Sequence, residues 1–276
     1  MANDQVYYSK GFKKSVSDTH AWRTVDNSTK FITSVLRPDF KVLDVGCGPG
    51  SITVDLAKNY LNENGSVIGV EPTQELIDTA NEFKNTAAPS LNNVKFQTGS
   101  IYELPFEDNT FDLVLAHQVI IHLQDPIKGL QELARVTKSG GYVAVKDADL
   151  ESIIASPEKY ELLRNYFVEK AKNAVSTDIK AGRTLREKAV KAGYKPDNIT
   201  TSKSYWLLAD DIEAKKQWVE LTNNRIKNGG EVIYPNDEKK NEEVSNQVIS
   251  KWEEWVNDET SLFNISHFEI VYKKPV

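Results

Sequence analysis

The chain has 276 residues and a net charge of -6, with 39% hydrophobic and 27% charged residues. This composition is typical of a folded globular protein with a sizeable core and is too apolar for general disorder. Lys and Arg are spread among acidic residues, which disfavours a nucleic-acid partner. Neither a signal peptide nor an apolar run of roughly 20 residues is present, so we expect no membrane association and a cytoplasmic location. Cys47 is the only cysteine, so no internal disulfide can form.

The first 36 residues predict an N-terminal helical cap. Ala21, Val25, Ser28, Ile32 and Val35 are spaced as on one face of a helix, and Pro38 ends the pattern.

Apolar segments and helical patterns then alternate between Lys41 and Gly193. Five short segments predict buried strands: KVLDVG, SVIGVE, NVKFQTG, FDLVLAH and YVAVKD. The intervening helices are predicted to begin at an N-cap Ser51 and at Asp125-Pro126, and Gly140-Gly141 is predicted to end the latter helix. This alternation indicates an α/β, Rossmann-like fold with a mainly parallel sheet.

The last third departs from that alternation. TTSKSYWLL, residues 200 to 208, predicts a sixth strand, two helices are predicted over 211 to 228 and 236 to 257, and HFEIVYKK predicts a final strand. We therefore expect a single domain over 1–276. Its parts are the cap (1–36), a cofactor-binding core (37–208), a helical insertion on the substrate side (209–262) and the last strand (263–276).

The segment VLDVGCGPGS, residues 42 to 51, predicts a nucleotide-binding turn. Gly46, Gly48 and Gly50 give G-x-G-x-G, which lacks the spacing of a dinucleotide fingerprint, and no lysine follows as in a P-loop. Asp44 would repel a pyrophosphate but suits a cation. Glu71, at the end of the next strand, can accept ribose hydroxyls. Together these residues favour S-adenosylmethionine, which carries an ammonium and a sulfonium but no phosphate.

Four segments in order, VLDVGCGPGS, VEP, GSIYELPFEDNTFDLVLAH and LQELARVTKSGGYVAV, resemble class I S-adenosylmethionine-dependent methyltransferases. The resemblance is to the branch of ubiquinone and menaquinone biosynthesis and covers roughly residues 40 to 147. It implies a seven-stranded sheet whose last strand is antiparallel, and S-adenosylhomocysteine as product. It also implies cofactor contacts at Asp44, Gly46, Gly48, Glu71, Gln74, Ser100, Ile101 and His117. Cys47 lies within the same turn, beside the cofactor, and Ser100 replaces an Asp frequent in the family.

The stretch HAWRTVDNS further resembles a fungal-type subgroup that includes enzymes methylating thiols of small dithiol metabolites. The resemblance implies that the N-terminal arm folds over the cofactor. Trp22 and Arg23 are then candidate cofactor contacts, and Tyr7 and Tyr8 can line the same pocket.

Methyl transfer mainly requires alignment of the acceptor with the sulfonium and exclusion of water, so a base is optional. His117 and His122, near the end of the fourth strand, are the candidate bases. The alternatives are that His117 contributes only backbone and that His122 is a packed residue.

Other chemistry-bearing residues are given structural interpretations. Cys47 is disfavoured as a nucleophile. Asp147 and Asp149 can bind a cation at the edge of the site, but no third ligand accompanies them, so we predict no metal site. Trp206, Trp218, Trp252 and Trp255 are expected in the core.

The sequence thus predicts an S-adenosylmethionine-dependent methyltransferase acting in-line on a small molecule, with a thiol as one candidate acceptor and the methylated atom left open. C- or O-methylation of a quinone- or phenol-like metabolite and protein methylation stay open, as do an NAD-dependent oxidoreductase and a non-catalytic cofactor-binding regulator. The fourth strand lacks a following Asn/Asp-Pro-Pro-aromatic turn, which disfavours a nucleic-acid amino-methyltransferase. The oligomeric state is not predicted.

Overall fold

The computed structural model describes residues 14–228, 233–234 and 236–276. Tyr7 and Tyr8 lie outside the described residues. The described residues form a seven-stranded sheet of order β3-β2-β1-β4-β5-β7-β6. Its strands are β1 (Lys41–Val45), β2 (Ser66–Glu71), β3 (Val94–Thr98), β4 (Phe111–His117), β5 (Thr137–Ser156), β6 (Ile199–Leu208) and β7 (Leu262–Lys273).

Strands β1 to β5 pair in parallel, whereas β7 lies antiparallel between β5 and β6. The predicted fold class is therefore confirmed, including the antiparallel last strand. The carboxyl ends of β1, β2 and β4 meet at one edge of the sheet, where ligands bind in folds of this kind.

Eight α-helices accompany the sheet in the described part of the chain. They are α1 (Lys14–Ala21), α2 (Ser51–Asp55), α3 (Gln74–Ala87), α4 (Pro126–Val136), α5 (Glu161–Lys170), α6 (Ala181–Lys191), α7 (Ile212–Asn228) and α8 (Glu238–Val256). Shorter helical turns adjoin several of them. No helix in these residues is long and apolar enough to span a membrane.

The central strands lie in the core because β1, β4 and residues 142–145 of β5 carry mainly apolar side chains. Leu43 of β1, Val114 of β4 and Val145 of β5 are completely buried. A separate cluster lies where α5, α7 and α8 pack on the ends of β5 and β7, and it includes the fully buried Trp252 and Trp255. The expectation that these two tryptophans belong to the core is confirmed.

Two predicted helix boundaries are wrong. Gly50, with a left-handed φ of 81°, occupies the N-cap position of α2, and Ser51 is the first helical residue. Helix α4 begins as predicted, because the side chain of Asp125 accepts a hydrogen bond from the Lys128 amide at 3.0 Å. It ends at Val136 rather than at Gly140-Gly141, because Thr137 is already extended and pairs with Phe111 as β5 begins.

The described part of the N-terminal cap is not one continuous helix, because α1 is separated from the short helical turns over Val25–Thr29 and Lys30–Ser34. Helix α1 ends at Ala21, and Thr24 starts a new π-helical turn by exchanging hydrogen bonds with Asn27 in a capping box. Val25 and Ile32 of the predicted apolar stripe are nevertheless completely buried. The break at residues 22 to 24 lets the arm change direction beside the ligand-binding edge of the sheet.

Candidate active site

The glycine turn after β1 has a backbone that only glycine adopts readily. Gly46, Gly48 and Gly50 have φ values of 74°, 53° and 81°. A Cβ on Gly46 would stand 2.4 Å from Cγ2 of Val119, so a larger residue there would force the Val119 side chain to shift. A Cβ on Gly48 would meet no atom within 4 Å, which means that this residue presents bare backbone to open space.

That open space is a cavity of about 1060 Å³, counted out to its mouth. Ten of the predicted site residues line it: Arg23, Asp44, Gly46, Cys47, Gly48, Glu71, Ser100, Ile101, His117 and His122. Two others do not. Trp22 lies farther out, and Gln74 is exposed on α3, where its amide donates to Asp78 at 2.8 Å. We call this space the first cavity.

Two buried carboxylates stand in the first cavity. Asp44 is 2% exposed and accepts a hydrogen bond from the Thr53 hydroxyl at 2.6 Å. Glu71 is 3% exposed and accepts one from the Gly48 amide at 3.1 Å. Burial raises the pKa of Asp44 to about 6 and that of Glu71 to about 7. Both carboxyls are therefore poised to ionise when a cation or hydroxyl donors enter.

Cys47 has the opposite character to a nucleophile. Burial, reinforced by the negative charges of Asp44 and Glu71, raises the pKa of its thiol well above the ordinary value. The thiol consequently stays protonated at neutral pH, and the residue lines the cavity as a small apolar group.

His117 ends β4, Gln118 follows it, and both line the first cavity. His117 is 5% exposed, its Nε2 has no hydrogen-bond partner, and burial lowers its pKa well below the ordinary value. Gln118 has a φ of 58°, an uncommon conformation for glutamine. Its side chain accepts from Arg23 Nη2 at 2.8 Å and lies 2.9 Å from His267 Nε2. Gln118 thus ties the N-terminal arm to β7.

A second cavity of about 950 Å³ adjoins the first. Its walls come from the arm, the turn after β4, β5, α5, β6, α7 and β7, and its aromatic lining comprises Trp22, Phe167, Trp206 and Trp218. The two cavities share His20, Arg23, Gln118 and His122. The expectation that Trp206 and Trp218 lie in the core is wrong in this respect, because β6 and α7 bring their partly buried rings to the cavity wall.

The N-terminal arm closes the junction of the cavities. The ring centroids of Trp22 and Trp206 are 5.2 Å apart, and the guanidinium of Arg23 lies 5.3 Å from the Trp206 ring. Arg225 on α7 donates to the Thr19 hydroxyl at 3.1 Å. Sequence reasoning missed His20 and Gln118. The signals were present, since His20 opens HAWR and Gln118 directly follows FDLVLAH.

Asp147 and Asp149 line neither cavity. They were expected at the edge of the site, but β5 continues to Ser156, which leaves both in mid-strand. Asp149 is held by two hydrogen bonds from Arg183, at 2.6 and 2.8 Å, and Asp147 is completely buried. The described residues contain no cluster of three or more His, Cys, Asp or Glu side chains able to hold a metal ion.

Comparison with known proteins identifies the family. A family model of the methyltransferase domain matches residues 36–211. The chain is also 42% identical to an uncharacterised methyltransferase of Schizosaccharomyces pombe, over 98% of both proteins. The chain belongs to the S-adenosylmethionine-dependent methyltransferases.

Other relatives of this methyltransferase match parts of it or its fold. A demethylmenaquinone methyltransferase of Bacillus cereus is 32% identical over 54% of the chain and 60% of its own length. Among solved structures, a phosphoethanolamine N-methyltransferase of Haemonchus contortus, in complex with phosphomonomethylethanolamine and S-adenosylhomocysteine, aligns with a TM-score of 0.57 at 17% identity. That alignment covers 99% of this chain and 59% of the other. The YcgJ protein of Bacillus subtilis aligns with a TM-score of 0.54 at 19% identity, covering 90% and 97%. These structural likenesses concern the fold alone.

The first cavity of the methyltransferase fits S-adenosylmethionine. Two buried carboxylates suit a ligand that carries positive charge and ribose hydroxyls, and the bare Gly48 backbone allows close approach. Among the residues that the structure describes, the lining includes no lysine of the kind that a P-loop uses to neutralise phosphates.

Proposed function

We propose that the protein methylates a small molecule bound in the second cavity, using S-adenosylmethionine bound in the first. The observation that carries this proposal is the junction of the two cavities at His20, Arg23, Gln118 and His122. A donor in one cavity and an acceptor in the other would meet at these residues, as in-line displacement requires.

Within the first cavity we assign separate tasks to the lining residues. Glu71 accepts the ribose hydroxyls, and Asp44 places negative charge beside the turn. Ser100 and Ile101, at the end of β3, line the side of the cavity assigned to the adenine. S-adenosylmethionine supplies an already activated methyl group, so the protein's part is to orient the reactants and exclude water.

The junction of the cavities supports an acceptor that ionises easily, and we propose a thiol. No Asp or Glu lines the second cavity among the described residues, which leaves imidazoles as the bases at hand. Burial and nearby cations lower the pKa of His20 and of His117 well below the ordinary value. Such weak bases suit an acidic thiol better than an alcohol. The same cations stabilise a thiolate.

Cofactor binding is tested by isothermal titration calorimetry with S-adenosylmethionine and with S-adenosylhomocysteine. The protein should then be incubated with labelled S-adenosylmethionine and acceptors that carry thiol, phenol, amine or activated-carbon groups. We expect labelled thiol product. Labelling of phenols or carbon acids alone would replace the thiol proposal with quinone- or phenol-type methylation.

A pair of variants tests the second cavity. Trp218→Ala enlarges that cavity and should raise the KM for the acceptor at least tenfold while the affinity for S-adenosylhomocysteine stays unchanged. Tyr205→Ala is the matched control, because Tyr205 is an exposed aromatic on β6 that lines neither of the two cavities. An unaltered KM in Trp218→Ala would show that the acceptor binds elsewhere.

A further inference from the structure

His20 occupies the junction of the two cavities. It lies in the last turn of α1, and its side chain lines both cavities. Its carbonyl accepts a hydrogen bond from the Ser51 hydroxyl at 3.3 Å, which fastens the end of α1 to the first residue of α2. The position of the imidazole is thus tied to the helix that follows the glycine turn.

Within the described part of the chain, both ring nitrogens of His20 are open to a ligand. Among the described residues, neither nitrogen hydrogen-bonds to the protein, and the residue is only partly buried. His117 and His267 differ from it in place or in partners, whereas His122 also lines both cavities but stands in the turn after β4 and not on the arm. His117 lines only the first cavity, and Nε2 of His267 lies 2.9 Å from the side-chain amide of Gln118.

The surroundings of His20 keep its imidazole neutral. Burial is the main cause of its lowered pKa, and Arg23, Arg225, His122 and Lys170 add to it from the arm, α7, the turn after β4 and α5. A neutral imidazole carries the lone pair that a base needs. The same cations lower the pKa of an acceptor thiol held beside the ring. The pKa of the base and the pKa of the thiol are therefore both lowered.

We propose that His20 is the catalytic base that takes the proton of the acceptor. This inference rests on the proposed function. The S–H bond of the acceptor breaks and its proton passes to a nitrogen of His20. The electron pair left on the acceptor sulfur forms the bond to the methyl carbon, and the pair of the broken carbon–sulfonium bond returns to the donor sulfur. His20 afterwards releases the proton to water.

The test compares two thiols that differ in their need for a base. Benzyl mercaptan is largely protonated at neutral pH, whereas 2-nitro-5-thiobenzoate is already a thiolate. In His20→Gln we expect kcat for benzyl mercaptan to fall by about 10²-fold or more. Methylation of 2-nitro-5-thiobenzoate, followed as loss of the thiolate absorbance, should fall less than tenfold. In His20→Gly, added imidazole should restore turnover of benzyl mercaptan.

Equal losses on both thiols, or no response to imidazole, would overturn the role of His20. A measurement on the unaltered protein complements the variants. The chain has four histidines, so their ring signals in NMR spectra can be assigned by single substitutions. The His20 signal should shift when benzyl mercaptan is added to the complex with S-adenosylhomocysteine, and absence of a shift also refutes the proposal.

Failure of the proposed function gives a different result. The wild-type protein would then fail to bind S-adenosylmethionine or to methylate any thiol, whatever residue stands at position 20. If wild-type binding and turnover are intact and only the predicted differences in the His20 variants are missing, the proposed function stands and the assignment of the base is wrong.

Discussion

Cofactor affinity should increase with pH, because the two carboxylates of the first cavity must lose protons before they act as acceptors. The pKa of Glu71 is about 7 and that of Asp44 about 6 in the unliganded protein. When a ligand binds only to the ionised form of a carboxyl, its observed affinity is its intrinsic affinity multiplied by the fraction of that carboxyl that is ionised. From pH 8 to pH 6 that fraction falls about tenfold for Glu71 and about twofold for Asp44.

The expected loss of affinity for S-adenosylhomocysteine between pH 8 and pH 6 is therefore about 20-fold, or roughly 1.8 kcal/mol. Isothermal titration calorimetry in two buffers of different ionisation enthalpy also measures the number of protons released when the ligand binds. At pH 7 binding should release about 0.6 proton, with most of it coming from the half-protonated Glu71.

Two variants make this prediction specific. Glu71→Gln should bind S-adenosylhomocysteine weakly at every pH and should keep only the twofold dependence due to Asp44. Glu75→Gln is the matched control, because Glu75 is an exposed carboxylate on the adjacent α3 and lines neither cavity. An affinity independent of pH, or one that increases toward pH 6, would refute the assignment of Glu71 and Asp44.

Three further predictions concern the turn and the core. Gly46→Ala should abolish cofactor binding, because its Cβ would clash with Val119, whereas Gly193→Ala has a similar left-handed φ in open space and should cost only about 1 kcal/mol of stability; equal binding by both variants would contradict the clash. Asp44 holds a proton in the folded state that the unfolded chain releases, so the unliganded protein should lose up to about 3 kcal/mol of stability as pH rises from about 4 to 6 and beyond. Asp44→Asn should remove most of that loss in urea unfolding compared at pH 4 and pH 8, and a variant that tracks the wild type at both values would disprove it. Trp255→Ala should lower the free energy of unfolding by about 3 to 5 kcal/mol, while the binding stoichiometry of the folded fraction is retained; a change below 1 kcal/mol would show that the site repacks.

The sequence alone determined the fold class and the interior of the first cavity. Strands buried on both faces show up as continuous apolar runs, so β1 to β4 could be placed from local pattern. Asp44, Gly48 and Glu71 lie within one βα unit of each other along the chain. Their chemistry could be inferred because short connections in a parallel sheet bring the carboxyl ends of adjacent strands together.

The tertiary structure decided what surrounds that cavity. Trp206 was expected in the core and Asp149 at the site, yet packing exchanges their roles: β6 brings the tryptophan to the second cavity, and Arg183 pairs with the aspartate inside a longer β5. His20 and Gln118 are 98 positions apart, and no local pattern relates them. They meet because the arm breaks after α1 and Arg23 hydrogen-bonds to Gln118, a contact between distant segments that only the folded chain creates.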